Sequence, residues 1–146
     1  EPFLIEYNVR MGDPECQTIL PKLNTDFCEV INSCCEGKLK EVKLDWNDKK
    51  SLCVVLCSNG YPDNYKKNVE IKNINKIELK KDDHLFHAGT TNKDDNIIAV
   101  GGRVLNFVSL SDNFEEARKS IHQHINNLNW SNGFCRKDIG YKVIIK

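Results

Sequence analysis

The run Ser51-Leu-Cys-Val-Val-Leu-Cys-Ser58 restricts the fold more than any other stretch. It is apolar between its terminal serines and bounded by the turn residues Asn59-Gly60 and Pro62, the pattern of a β-strand between breakers. Successive strand side chains point to opposite faces. Apolar residues at both parities (Leu52, Val54 and Leu56 on one, Val55 on the other) therefore imply a strand covered on both sides.

The other signals assemble an α+β chain around this strand. His84 to Thr90 reads as a strand and Asn92 to Asn96 as a polar turn. Ile97 to Val100 and Arg103 to Leu110 read as successive strands broken by Gly101-Gly102, together an antiparallel meander. Residues 63–83, rich in Lys, Asn and Asp, support only short strands or turns. Phe27, Val30, Ile31, Cys34 and Cys35 repeat at helical spacing and predict a helix from Asp26 to Glu36. Asp26 with Glu29 has capping-box spacing, Asn24 and Thr25 are alternative caps, and Gly37 is a stop. Asp112 with Glu115 repeats the capping spacing. Phe114, Ala117, Ile121, Ile125 and Leu128 then line one helix face out to about Asn129. Asn132-Gly133 is a turn, and Tyr141 to Ile145 is expected to be a closing strand. Lys38 to Lys50 is mostly charged, with a short strand predicted at Leu44 and Trp46. It reads as the passage between two domains: residues 1–37, the end of one, and residues 38–146, a small domain built on an antiparallel sheet with a packed helix.

The 21 basic and 21 acidic residues cancel, so no bulk electrostatic attraction to nucleic acid or membrane is expected. No apolar run approaches the roughly 20 residues of a membrane helix, and no leader peptide is recognised. The expectation is a cytoplasmic protein. Seven cysteines, an odd number without paired metal-ligand spacing, read as reduced thiols rather than disulfides or a zinc centre.

The chemistry concentrates in Phe3-Leu-Ile-Glu-Tyr-Asn-Val-Arg-Met-Gly-Asp-Pro-Glu15. Its first half reads as a strand with Ile5, Tyr7 and Val9 on one face and Glu6, Asn8 and Arg10 on the other. A carboxylate and an amide oxygen two residues apart form a partial hard-oxygen claw. That suits Mg²⁺, which is commonly held by one or two carboxylates plus phosphate and water. Arg10 offers a planar fork for a phosphate, or an ion pair to Glu6 or Asp13. In Gly12-Asp13-Pro14-Glu15, Pro14 suits the first helical position and Asp13 the cap. The free amides at that helix start can hold an anion, or Asp13 and Glu15 can orient an amine. The competing reading is an exposed polar strand face with an ordinary helix cap.

Glu6-Tyr-Asn-Val-Arg-Met-Gly-Asp-Pro-Glu-Cys-Gln17 resembles the closing motif of the ATP-grasp domain in the glycinamide ribonucleotide synthetase (phosphoribosylamine–glycine ligase) family. Gly60-Tyr61-Pro62, Phe86-His87-Ala88-Gly89-Thr90, Gly101-Gly102-Arg103-Val104-Leu105 and Arg136-Lys137-Asp138-Ile139-Gly140-Tyr141 follow in that family's order and spacing. The resemblance covers essentially the whole chain. It implies the end of an ATP-grasp domain followed by a C-terminal domain, with most of the enzyme upstream. The implied activity is ATP-dependent ligation of glycine to 5-phosphoribosylamine through glycyl phosphate, in purine synthesis. Glu6 and Asn8 would bind Mg²⁺ or Mn²⁺. Arg10 and Gly12 would face the ATP-derived phosphate, and Arg10, Asp13 and Glu15 would serve catalysis. The ATP-gripping loop is not in the sequence, so this chain alone is expected to be inactive. Another ATP-grasp carboxylate–amine ligase, or a non-catalytic module, is the alternative reading.

Elsewhere, His84 and His87 differ in strand parity and argue against a two-histidine metal site. His122 and His124 lie two apart on a helix and face different ways. Arg103, Arg136, Lys137 and Asp138 either line the groove between domains or form salt bridges within the smaller one.

Overall fold

The computed structural model describes residues 2–5 and 7–144. The run that opens the sequence argument is β1 (Lys50–Ser58), at the centre of the fold. Four further helices and strands complete its surroundings: β3 (Asp83–His87), β6 (Arg103–Ser111), β7 (Gly133–Phe134) and the long helix α3 (Phe114–Leu128), all following β1 in the chain. The sheet order is β3-β6-β1-β7, every pairing antiparallel, with one register shift between Leu56 and Cys57.

β1 is covered on both faces as its composition requires. Leu52, Val54 and Leu56 pack with Leu105 and Phe107 of β6 and with Ala117, Ile121 and Leu128 of α3. Cys53, on the opposite face, packs with Val108, Leu110 and Phe86 and lies against Thr18 of α1 (Glu15–Ile19). The sheet is therefore sandwiched between α3 and the short α1. Burial pushes the Cys53 thiol up to about 12, which keeps it protonated and unreactive. The cysteines are all free thiols.

A second sheet, β2 (Val69–Glu70), β5 (Asn96–Ala99) and β4 (Thr90–Lys93), has the order β2-β5-β4. It corrects the expected meander. β5 and β6 are consecutive in sequence but belong to different sheets, because Gly101-Gly102 redirects the chain instead of folding it back. The polar turn is also shorter than expected. Asn92 and Lys93 pair in β4, and only Asp94 and Asp95, both at positive φ, make the hairpin turn.

Helix α2 (Phe27–Cys35) forms where its periodicity places it. The Asp26 carboxylate accepts from the backbone N–H of Cys28 and Glu29, making Asp26 the cap. Gly37 sits at φ 71°, and the N–H groups of Gly37 and Lys38 return to Cys34 and Ser33 carbonyls, a Schellman stop. Its stripe residues Phe27 and Ile31 are exposed. The predicted strand at Leu44 and Trp46 reduces to a single bridge between Leu23 and Trp46. For α3 the cap is Asn113, accepting from Glu116 N–H, rather than Asp112.

Two expected strands are absent. Residues 2–5 and 7–11 are irregular, and Ile5, Tyr7 and Val9, expected on a buried face, are 94 %, 84 % and 99 % exposed. A strand needs a neighbouring strand for its ladder, and the described residues of this segment join neither sheet. Tyr141–Ile144 is a short helix, α4. Gly140 at φ 83° turns the chain, and the N–H groups of Tyr141 and Val143 bond back to Asp138 and Gly140 carbonyls. Ile145, the end of that expected strand, lies outside the described residues.

Candidate functional site

Glu6, half of the expected metal claw, lies outside the described residues. Asn8 and Arg10 are exposed on the irregular segment, where Arg10 Nη1 donates to the Met11 carbonyl at 3.3 Å. The donor chemistry of Glu6 and Asn8, a carboxylate and an amide oxygen, fits a share of a hard cation's shell and not a complete cage. Among the described residues no group of three or more His, Cys, Asp or Glu is placed to hold a metal ion.

The Gly12–Glu15 loop is ordered against the sheet, and Pro14 becomes the residue preceding helix α1, which opens at Glu15. Asp13 does not cap it, because its carboxylate is engaged elsewhere. Asp13 Oδ1 accepts from Gln17 Nε2 at 2.8 Å and from Asn106 Nδ2 at 3.4 Å. Arg103 Nε lies 3.4 Å from Asp13 Oδ2, and Arg103 Nη1 donates to the Asp13 carbonyl at 2.7 Å. Arg103, for which the sequence left a groove position and a local salt bridge equally open, thus reaches from β6 to this loop. Arg136 pairs locally, donating to both oxygens of Asp138 at 3.0 and 2.6 Å on the surface.

Gly12 is not among the positive-φ residues. The flexible end of the Glu15 side chain lies over it, in the space a Cβ would take. The Gly12 carbonyl accepts from Cys16 N–H at 2.9 Å, which ties the loop to the first turn of α1.

Three of the quoted motifs, Gly60–Pro62, Phe86–Thr90 and Gly101–Leu105, meet at Gly101-Gly102. The Tyr61 ring occupies the space a Gly102 Cβ would need, and Gly89 lies against Gly101. Ser58 Oγ donates to the Gly101 carbonyl at 2.9 Å, and Gly89 N–H donates to the Arg103 carbonyl at 2.9 Å. Glycines at these crossings allow backbones to approach more closely than any side chain would permit. His87 Nδ1 pairs with Thr90 Oγ1 at 2.9 Å, and the His84 ring stacks on Phe86. The two are local partners within and beside β3.

Two features escaped sequence reasoning. Asn106, fully buried in β6, reaches Asp13. Its signal was a lone amide within Val-Leu-Asn-Phe-Val. His124, read as having no chemistry, is buried, with Nε2 2.7 Å from Asp83 Oδ2. Ser120 Oγ donates to the same oxygen at 2.8 Å. Burial resists ionisation of Asp83, but the surrounding hydroxyls and His124 outweigh it and hold the carboxyl below its ordinary value. This triplet joins β3 to α3 in the core and is structural.

Residues 51–142 match the family described as "Phosphoribosylglycinamide synthetase, C domain". A phosphoribosylamine–glycine ligase of Caldanaerobacter subterraneus subsp. tengcongensis is 46 % identical over 138 residues, covering 94 % of this chain and 32 % of that protein. A chloroplastic phosphoribosylamine–glycine ligase of Arabidopsis thaliana is 41 % identical over 145 residues, covering 98 % of this chain and 27 % of that protein. The crystal structure of phosphoribosylamine–glycine ligase from Thermotoga maritima superposes with a TM-score of 0.70 at 29 % identity, covering 96 % of this chain and 34 % of that one. The chain spans about a third of the length of these relatives.

Proposed function

The chain belongs to the family of the phosphoribosylglycinamide synthetase C domain, and on that premise we propose that it is the C-terminal portion of an ATP-grasp ligase of purine synthesis. In the reaction, glycine's carboxylate takes the γ-phosphoryl group of ATP, giving glycyl phosphate and ADP. The amine of 5-phosphoribosylamine then attacks the acyl carbon and expels phosphate, giving glycinamide ribonucleotide. The observation that carries this reading is the 46 % identity to a phosphoribosylamine–glycine ligase over 138 residues, together with the Glu6–Gln17 motif outside the matched C domain.

Residues 1–37 would close the ATP-grasp domain and 38–146 would form the C-terminal domain. The exposed Ile5, Tyr7 and Val9 would be covered by upstream domains of the same polypeptide, as apolar patches on a solvated surface favour burial. Glu6 and Asn8 would hold Mg²⁺ or Mn²⁺, which when bound offsets phosphate charge and polarises the transferring group. Arg10 and the Gly12 loop would steady the transferred phosphate, and Asp13 and Glu15 would orient the reacting amines. No helix among the described residues is long and apolar enough to cross a membrane, which accords with a cytoplasmic enzyme. The isolated chain would lack activity, since the ATP-gripping loop of such ligases is not in its sequence.

The test is ATP-, glycine- and phosphoribosylamine-dependent phosphate release by the full-length protein and its Glu6→Gln variant. Most activity should disappear in a normally folded variant, because Glu6 brings the only charge this segment offers the cation. Near-normal turnover at saturating Mg²⁺ refutes the metal assignment, and no ligation by the parent protein refutes the ligase reading.

A further inference from the structure

We infer that Arg103 and Asn106 of β6 are positioning residues that aim the Asp13 carboxylate, so that the C-terminal sheet sets the geometry of the Gly12–Glu15 loop. The inference rests on the ligase reading above for its functional consequence. It rests for its geometry on contacts between residues ninety positions apart in sequence.

An ionised carboxylate has about four acceptor lobes. In Asp13 two are taken, both on Oδ1, by Gln17 and Asn106, and Oδ2 forms an ion pair with Arg103 Nε at 3.4 Å. Asp13 stays partly exposed, its side chain at 35 %, so Oδ2 is within reach of a donor such as a substrate amine. The two hydrogen bonds and the ion pair together set the direction Oδ2 faces. Arg103 adds a second grip through the Asp13 carbonyl at 2.7 Å, which constrains the loop backbone as well as the side chain. Asn106 is fully buried in a strand paired on both sides, with β1 at Val55 and β3 at Phe86. The reference frame for Asp13 is therefore the rigid centre of the sheet and not the loop itself. Such support is what holds a reacting group near its productive orientation.

The experiment uses the full-length protein and the variants Arg103→Gln, Arg103→Lys, Asp13→Asn and the double variant Asp13→Asn/Arg103→Gln. Arg103 is partly exposed, so its replacement should leave the core intact. Amide hydrogen exchange over residues 13–20 should quicken in Arg103→Gln. In the same variant kcat should fall about tenfold or more while KM for ATP stays within about twofold, the split expected of lost transition-state positioning. Arg103→Lys, which keeps the charge but loses the planar fork, should recover part of kcat. The double variant should be no slower than the worse single one, because both break one unit. Unchanged exchange in Arg103→Gln overturns the clamp. Faster exchange with unchanged kcat overturns the positioning role, as do losses that multiply in the double variant. Absence of ligation by the parent protein sinks the ligase reading instead, and the exchange measurement still decides the clamp.

Discussion

His124→Leu removes the imidazole from the buried Asp83 carboxylate while keeping a side chain of similar bulk. His124 and Asp83 are 5 % and 6 % exposed, so water cannot replace the lost donor. Ser120 remains as partner to the same oxygen, which limits the damage. A hydrogen bond to a charged group contributes about 1.5–3 kcal/mol, and a cost of about 2–3 kcal/mol is expected. For a chain of this size that lowers Tm by roughly 4 °C per kcal/mol, about 8–12 °C in all. Thermal unfolding of the 146-residue chain, followed by circular dichroism and calorimetry, reads this directly. The pH dependence gives an independent check. The folded Asp83 carboxyl is held below its ordinary value, so it adds stability above the unfolded carboxylate pKa. That share is lost as pH falls through the lower, folded value. Asp83→Asn should therefore be less stable than the parent near neutrality and should lack this part of the acid-induced loss. A His124→Leu melting point within about 2 °C of the parent, on the same scale, would refute the reasoning. So would strict additivity in the Asp83→Asn/His124→Leu double variant, since contacting residues should couple.

Arg10→Lys keeps the charge and loses the fork, so turnover of the full-length protein should fall by roughly 10²-fold, a few kcal/mol in barrier. A fall of less than about threefold would reduce Arg10 to a surface cation. Gly12→Val should displace the Glu15 side chain, whose far end is flexible and which lies over Gly12. We expect a loss in stability of about 1 kcal/mol or less, near the range of surface substitutions, together with a clear fall in kcat. A stability loss several times larger would show backbone strain at a position where the φ angle gives no reason for it.

Much of the architecture was legible because it is local. The apolar run of β1 demanded cover on both faces, and α1 and α3 provide it. The stripe of α3 and the caps and stops at Asp26 and Gly37 follow from periodicity and from hydrogen bonds a few residues long. The quoted motifs also led to the family. What failed was the part that depends on distant neighbours. Residues 3–10 alternate like a strand in sequence, but the described residues among them join neither sheet. Tyr141–Ile144 has strand-like composition, yet the turn at Gly140 lets it close local helical bonds. Asp13 looked like a helix cap because capping is what an aspartate before Pro-Glu does when nothing else competes. Arg103 and Asn106 do compete, and no local pattern links them to it. The sequence by itself determined which segments have amphipathic faces and where they start and stop, because those energies act within a turn or two of chain. Only the tertiary structure decided which faces meet and which donors reach Asp13. Those choices are made by burial and by hydrogen bonds between strands and loops that the chain brings together only on folding.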